Sequence, residues 1–231
     1  MSTEGHCAHS LLEAHIQSLL PSAQLKLSAL CFNSAVSHEL KLWLIDPEGM
    51  NAPLNAEETR AIFANPPYWS FCWGSGLALA ERLLRGVYPV KGKTVLDFGC
   101  GSAVVGIAAV LAGAKKVIAC DMDPFALKAS ALNAEVNTVE LEYLDDFCKL
   151  ESRVDFLFAS DVLYDPENRP LVKRFQEVAD EVVIADSRVK NFTEQGFTLC
   201  DEARAVTAPD LGELESVKLI RFYQGRFCEG E

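Results

Sequence analysis

The sequence predicts an α/β protein with a doubly wound, mostly parallel seven-stranded sheet, a C-terminal antiparallel hairpin and a small N-terminal helix and β extension. Three observations point there. From Lys93 onward, short apolar runs alternate with helical patterns in the rhythm of βαβ units. The run at 94–98 ends on a glycine-rich turn, GCGSA, which opens directly into an apolar helix. The chain has 231 residues, 49% of them hydrophobic, enough for one substantial core.

Taken in order, residues 8–20 put Leu11, Leu12, Ile16, Leu19 and Leu20 on one helical stripe that Pro21 stops. The segments 25–30 and 39–46 alternate as strands do, and Asp46-Pro47-Glu48-Gly49 reads as a turn. A helix over 57–64 completes an extension covering 1–64, and the main domain runs from 65 to 231. Within it, NPPYWSFCWGSG at 65–76 reads as a loop leading into a helix at 77–84. The regular part then gives strands at 94–98, 116–121, 139–144, 154–161 and 181–186. Helices follow from 104, from 124 and around 167–179, and the last strands fall at 197–206 and 215–223.

A net charge of −12 and an isoelectric point near 4.8 disfavour a nucleic-acid backbone as partner, while a basic protein partner remains compatible. Eight cysteines in a chain of this length show no C-x-x-C or zinc-ligand spacing, and the early histidines His6, His9 and His15 lack partners that would complete a metal set. No metal site is expected. The first residues lack the pattern of a secretory or transit peptide, and no apolar run is long enough to span a bilayer. The expectation is a cytoplasmic protein, off the membrane, with a monomer favoured.

Gly99 and Gly101 stand where an open parallel sheet binds ligands, beyond the carboxyl end of a strand and before a helix amino terminus. Asp121 closes the next strand 22 residues after Gly99, the spacing at which an acid accepts ribose hydroxyls. A nicotinamide-dinucleotide fold is the rival, but its third glycine is Val104 here. Asp97 also stands two residues before Gly99, where such folds keep an apolar residue. The D-x-G-x-G pattern resembles the first motif of the class I, seven-strand S-adenosylmethionine methyltransferases, with Ala103 in place of the commonest third glycine. That resemblance implies a Rossmann-like domain and S-adenosylmethionine as cofactor. It implies that Asp97 meets the methionine amino group, that Met122 covers the adenine, and that Asp145, Asp146 and Phe147 bind its amine and ring.

The fourth strand ends Ser160-Asp161-Val162-Leu163-Tyr164. This resembles the protein lysine methyltransferases that carry a D-x-x-Y signature, matched by Asp161 and Tyr164, with Ser160 on the cofactor side. PPYWSFCW further resembles the branch that includes the electron-transfer flavoprotein β-subunit lysine methyltransferase. The resemblance places Trp73 at the methionine end of the cofactor and Tyr68 and Trp69 nearer the substrate entrance. Asp161 would hold a neutral amine and Tyr164 shape the site, for direct displacement at the sulfonium methyl. Asn65-Pro66-Pro67-Tyr68 also spells the tetrapeptide of methyltransferases acting on adenine or glutamine amides, but there it follows the fourth strand, not precedes the first. The alternatives are a ribosomal-protein methyltransferase, a small-molecule N-methyltransferase and a non-catalytic binding scaffold.

Overall fold

The computed structural model describes residues 1–32, 38–49, 53–189 and 191–226. Its main sheet has seven strands: β3 (Thr94–Phe98), β4 (Lys116–Cys120), β5 (Glu142–Leu144), β6 (Val154–Ser160), β7 (Ala179–Asp186), β8 (Phe197–Arg204) and β9 (Leu219–Arg226). They lie in the order β5-β4-β3-β6-β7-β9-β8. β3 to β7 are parallel, and β9 runs antiparallel between β7 and β8. The chain goes outward from β3 to β5 and then returns to β6, so β3 and β6 flank the topological switch point, where such sheets bind ligands. A separate two-stranded antiparallel sheet joins β1 (Leu25–Ala29) and β2 (Lys41–Ile45).

Strand alternation sorts the core. On β3, Val95 points to the face covered by α3 (Gly74–Leu84) and α4 (Val104–Leu111), while Leu96 and Phe98 point to the face covered by α6 (Leu171–Val178). Phe156 and Phe158 against Leu157, and Val183 against Val182 and Ile184, repeat the same division on β6 and β7. This period places Asp97 on the α4 face, where its carboxylate is buried and accepts the Gly106 N–H at 2.8 Å. A Cβ on Gly106 would stand 3.1 Å from that carboxylate oxygen, so the glycine lets α4 approach the strand. Burial pushes the Asp97 carboxyl up to about 7, with the charge of Asp121 adding to it.

The N-terminal elements are fastened to the main sheet through α5 (Pro124–Val136). Helix α1 (Thr3–Leu19) starts earlier than its apolar stripe because the Ser2 side chain caps it, accepting the Gly5 N–H. Its Leu12 and Ile16 pack with Ala126, Ala129 and Leu132 of α5. Two asparagines near the end of that helix satisfy the backbone of strand β2: Asn133 Oδ1 accepts the Trp43 N–H at 2.7 Å, and Asn137 Oδ1 accepts the Lys41 N–H at 3.0 Å. Asn133 Nδ2 also donates to the Ser102 carbonyl at 3.0 Å, tying the small sheet to the glycine loop. Helix α2 (Ala56–Ala64) begins with a capping box between Asn55 and Glu58.

Several bounds differ from the sequence expectation for physical reasons. Helix α3 begins at Gly74, because residues that read as loop letters form its first turn. Only Glu142–Leu144 of the run 139–144 pairs as β5, at the sheet edge. Residues 215–217 form a single 3-10 turn before β9. Among the described residues no helix is long and apolar enough to cross a membrane.

Two outcomes follow from these contacts. Asn133→Ala leaves the Trp43 N–H and the Ser102 carbonyl without their partner, and should cost about 2 kcal/mol and lower Tm by roughly 4–8 °C. An unchanged melting curve would show that these bonds are replaced by water. For Asp97, the folded value of about 7 lies above the ordinary 3.8, so between them the native state binds the proton more tightly than the unfolded chain. Stability carried by this group therefore falls as pH rises from 3.8 towards 7. Asp97→Asn keeps an oxygen for Gly106 and lacks the ionisation, so its Tm should gain on that of the unliganded wild type across this window. Parallel pH curves would contradict the assignment.

Candidate active site

The loop after β3 is built from left-handed backbone: Gly99 has φ 66°, Gly101 φ 51° and Ala103 φ 60°. The Gly99 and Cys100 N–H groups both donate to the Cys120 carbonyl, at 2.9 and 3.1 Å, which draws the loop onto the end of β4. Asp121 completes the tie. Its Oδ2 accepts the Gly101 N–H and its Oδ1 the Asp123 N–H, each at 3.0 Å, while burial raises its pKa. From the other side, a Cβ on Gly99 would lie 2.6 Å from Val162 Cγ1, in the segment that follows β6. Only glycine suits both that φ and that approach.

Two helix amino ends converge on the loop. The N-cap residues, Trp73 of α3 and Ala103 of α4, offer no side-chain cap; of the first-turn amides, Gly74 donates to Thr207 Oγ1 at 3.3 Å and Gly106 to Asp97. Gly76, in the first turn of α3, packs so closely that a Cβ there would stand 3.1 Å from Val104 and 3.4 Å from Ser160 Oγ. Ser160, the last residue of β6, thus faces the start of α3.

The remaining residues of the cofactor side divide between surface and core. Met122 stands 87% exposed beside Asp121, free to cover a ligand. Asp145 lies on the surface, paired with Lys149 at 2.8 Å, which lowers its pKa. Asp146 caps the turn Phe147–Lys149 by accepting the Cys148 N–H. Phe147, expected to pack an adenine ring, is instead buried in the α6 face of the sheet, edge-on to Phe98 and Phe175. Asp97, expected to meet an amino group, is the buried brace under α4 described above. Each side chain thus turns into the interior on its own face of the sheet, Phe147 against α6 and Asp97 under α4.

After β6, Asp161 sits left-handed at φ 48°, a conformation that Asp tolerates better than most residues. Its Oδ1 accepts both the N–H and the hydroxyl of Ser187, at 2.9 and 2.7 Å, joining the ends of β6 and β7. Tyr68, Trp73 and Tyr164 form one aromatic group: Tyr68 meets Trp73 edge-on at 5.8 Å and Tyr164 at 5.6 Å. The Trp73 indole N–H donates to the Tyr68 carbonyl at 3.0 Å. Burial, with Tyr68 alongside, raises the Tyr164 pKa above its ordinary value, so its phenol stays protonated. Trp69, expected at the entrance, is buried instead. The 3-10 turn Tyr68–Ser70 rotates it by one position away from Tyr68 and into the core with Ala126 and Leu132, beside His15.

Sequence patterns did not single out Val162, Ser187, Asp186 or Arg188. The one available signal was position, since 186–188 follow the carboxyl end of a strand next to the switch point. Asp186 is buried and its Oδ1 accepts the N–H groups of Arg188 and Val189, shaping that turn. Among the described residues no group of three or more His, Cys, Asp or Glu side chains forms a metal site.

The ribosomal protein L11 methyltransferase (PrmA) family profile matches residues 79–166. The chain is 34% identical over 128 residues to the human electron transfer flavoprotein beta subunit lysine methyltransferase, covering 52% of this chain and 49% of that protein. It is 56% identical over 102 residues to the ribosomal protein L11 methyltransferase of Acinetobacter baumannii (strain SDF), covering 43% and 32%. The chain thus spans about half or less of the length of these relatives. Among solved structures, magnesium protoporphyrin IX methyltransferase from Synechocystis PCC 6803 with bound S-adenosylmethionine superposes with a TM-score of 0.51 at 15% identity, over 77% of this chain and 86% of that one. The switch-point loop, the strand order and these likenesses agree on the Rossmann-like fold of the S-adenosylmethionine-dependent methyltransferases.

Proposed function

We propose that this chain is an S-adenosylmethionine-dependent N-methyltransferase acting on a lysine side chain of a protein, with the electron transfer flavoprotein beta subunit as the favoured acceptor. The observation that carries this reading is the meeting of two sets of residues across Gly99 and Val162. A loop and acid suited to the cofactor stand on one side, and Asp161 with the aromatic group stands on the other. Support for the acceptor comes from the relatives' names and from the Asp161-to-Tyr164 signature.

The residues present fit the cofactor. The left-handed glycines leave backbone where side chains would stand, and the start of α4, whose N-cap residue Ala103 offers no side-chain cap, suits a carboxylate. In this reading Asp121, at the end of β4 beside the loop, takes the ribose hydroxyls, and Met122, Asp145 and Asp146 lie toward the adenine. When bound, S-adenosylmethionine supplies a methyl group on an electrophilic sulfonium. The acidic residues around the loop favour that cation over a neutral ligand.

The chain's own part is to receive a neutral amine, since a lysine ammonium has no lone pair for attack. Asp161 accepts an N–H of the amine and orients it, its carboxylate held by Ser187. Tyr68, Trp73 and Tyr164 enclose the alkyl chain and exclude water, while the protonated Tyr164 offers a hydroxyl and not a base. The seven described cysteines are free thiols, in keeping with a reducing compartment such as the cytoplasm.

A ribosomal protein as acceptor is the second reading, favoured by the 56% local identity to the Acinetobacter enzyme. Cell extract incubated with the protein and radiolabelled S-adenosylmethionine, followed by mass spectrometry of labelled bands, separates the two. Label on a flavoprotein lysine is expected; label on a ribosomal protein would shift the assignment. Asp161→Asn keeps an oxygen for Ser187 and removes the charge. It should reduce transfer on the order of 10²-fold while leaving the cofactor Kd nearly unchanged. Full turnover by this variant would sink the role given to Asp161.

A further inference from the structure

The turn after β7 puts a cation at the acceptor mouth. The Arg188 guanidinium lies over the Trp73 ring, 5.6 Å from its centroid, and close enough to Tyr164 for its charge to act on that phenol. Its backbone is fixed by the Asp186 carboxylate, and the neighbouring Ser187 holds Asp161. The side chain is exposed, and among the described residues no carboxylate forms an ion pair with it. β7 lies beyond β6 from the glycine loop, so this cation belongs to the acceptor half of the sheet and not to the cofactor half. A lysine ammonium would be repelled by it. A guanidinium presented there over Trp73 is suited instead to a carboxylate, which its planar fork binds in a geometry that lysine cannot copy.

We infer that Arg188 is a specificity-determining residue, pairing with a carboxylate that the protein acceptor carries beside its target lysine. The inference rests on the lysine methyltransferase reading and names a feature of the acceptor: an Asp or Glu in the same segment as the methylated lysine or folded next to it. An acceptor bearing only basic neighbours would be turned away by Arg188, while the acidic pair would dock on it and bring the amine to Asp161.

The test begins with the lysine mapped by mass spectrometry in extract labelled by the wild-type protein, and continues on that acceptor in purified form. Arg188→Ala should lower kcat/KM by about 10- to 100-fold, through KM for the acceptor, with kcat and the S-adenosylmethionine Kd from calorimetry unchanged. Arg188→Lys should recover only part of the loss. Arg188→Glu should lose more, and replacing the acceptor's neighbouring carboxylate by lysine should restore it. Unchanged acceptor KM in Arg188→Ala, a loss that appears in the S-adenosylmethionine Kd, or a charge swap that restores nothing would each overturn the inference. A wild type that labels no lysine would remove the methyltransferase reading itself and this inference with it, an outcome seen before any Arg188 variant is compared.

Discussion

The structure depends on a left-handed turn held from three directions. Gly99 must turn at positive φ, hand its N–H to the Cys120 carbonyl and pass under Val162 with no room for a methyl group. Each demand comes from a different strand end: β3 supplies the turn, β4 the acceptor, and the segment after β6 the ceiling. Because β3 and β6 flank the topological switch, one turn sets the distance between the places proposed for a cofactor and for an acceptor. Asp121 reinforces it from β4 by accepting the Gly101 N–H. Asn133 carries the same loop outward, through the Ser102 carbonyl, to the small N-terminal sheet.

Around this turn the charges divide by function. Asp97 is buried beneath α4 and braces its start, which explains an acid where nicotinamide folds keep an apolar residue without requiring it to touch a ligand. Asp121 stays at the loop, and Asp161 stands across it on the acceptor side. A sulfonium and an amine are the kind of reactants such an arrangement suits, provided that the amine arrives neutral. Arg188 is the counterweight, a positive group at the rim of an otherwise acidic approach.

The central parallel strands β3, β4, β6 and β7 were legible in the sequence because short, largely buried apolar runs punctuated by Gly, Asp and Pro leave little choice of element, whereas the exposed edge strand β5 is shorter than its run. The switch-point loop was legible for the same reason: glycines at a strand end have few other uses. What sequence patterns did not give was which way a side chain faces within an aromatic-rich segment. Tyr68 and Trp69 are adjacent, and a single 3-10 turn sends one to the mouth and the other into the core. Phe147 follows two aspartates at a strand end, yet Phe98 and Phe175 draw it inward. The start of α3 was hidden because Gly-Ser-Gly reads as loop, although small residues there are what close packing on Val104 and Ser160 demands. Arg188 had no motif at all and is visible only through its ring contact with Trp73.

The central claim is that the backbone of this turn is itself the cofactor surface, and Gly101 allows it to be tested without a steric clash, although an alanine at its φ of 51° carries backbone strain of about 1 kcal/mol. A Cβ on Gly101 would find nothing nearer than the Trp69 Cα at 3.9 Å, so the protein has room for a methyl group where a bound ligand would not. Isothermal titration calorimetry of S-adenosylmethionine against the wild type and Gly101→Ala, with circular dichroism to confirm the fold, measures this directly. The expected result is one-site binding to the wild type and a loss of at least about tenfold in affinity, about 1.4 kcal/mol, in the folded variant. Equal affinity in the two proteins, or no binding to the wild type, would contradict it.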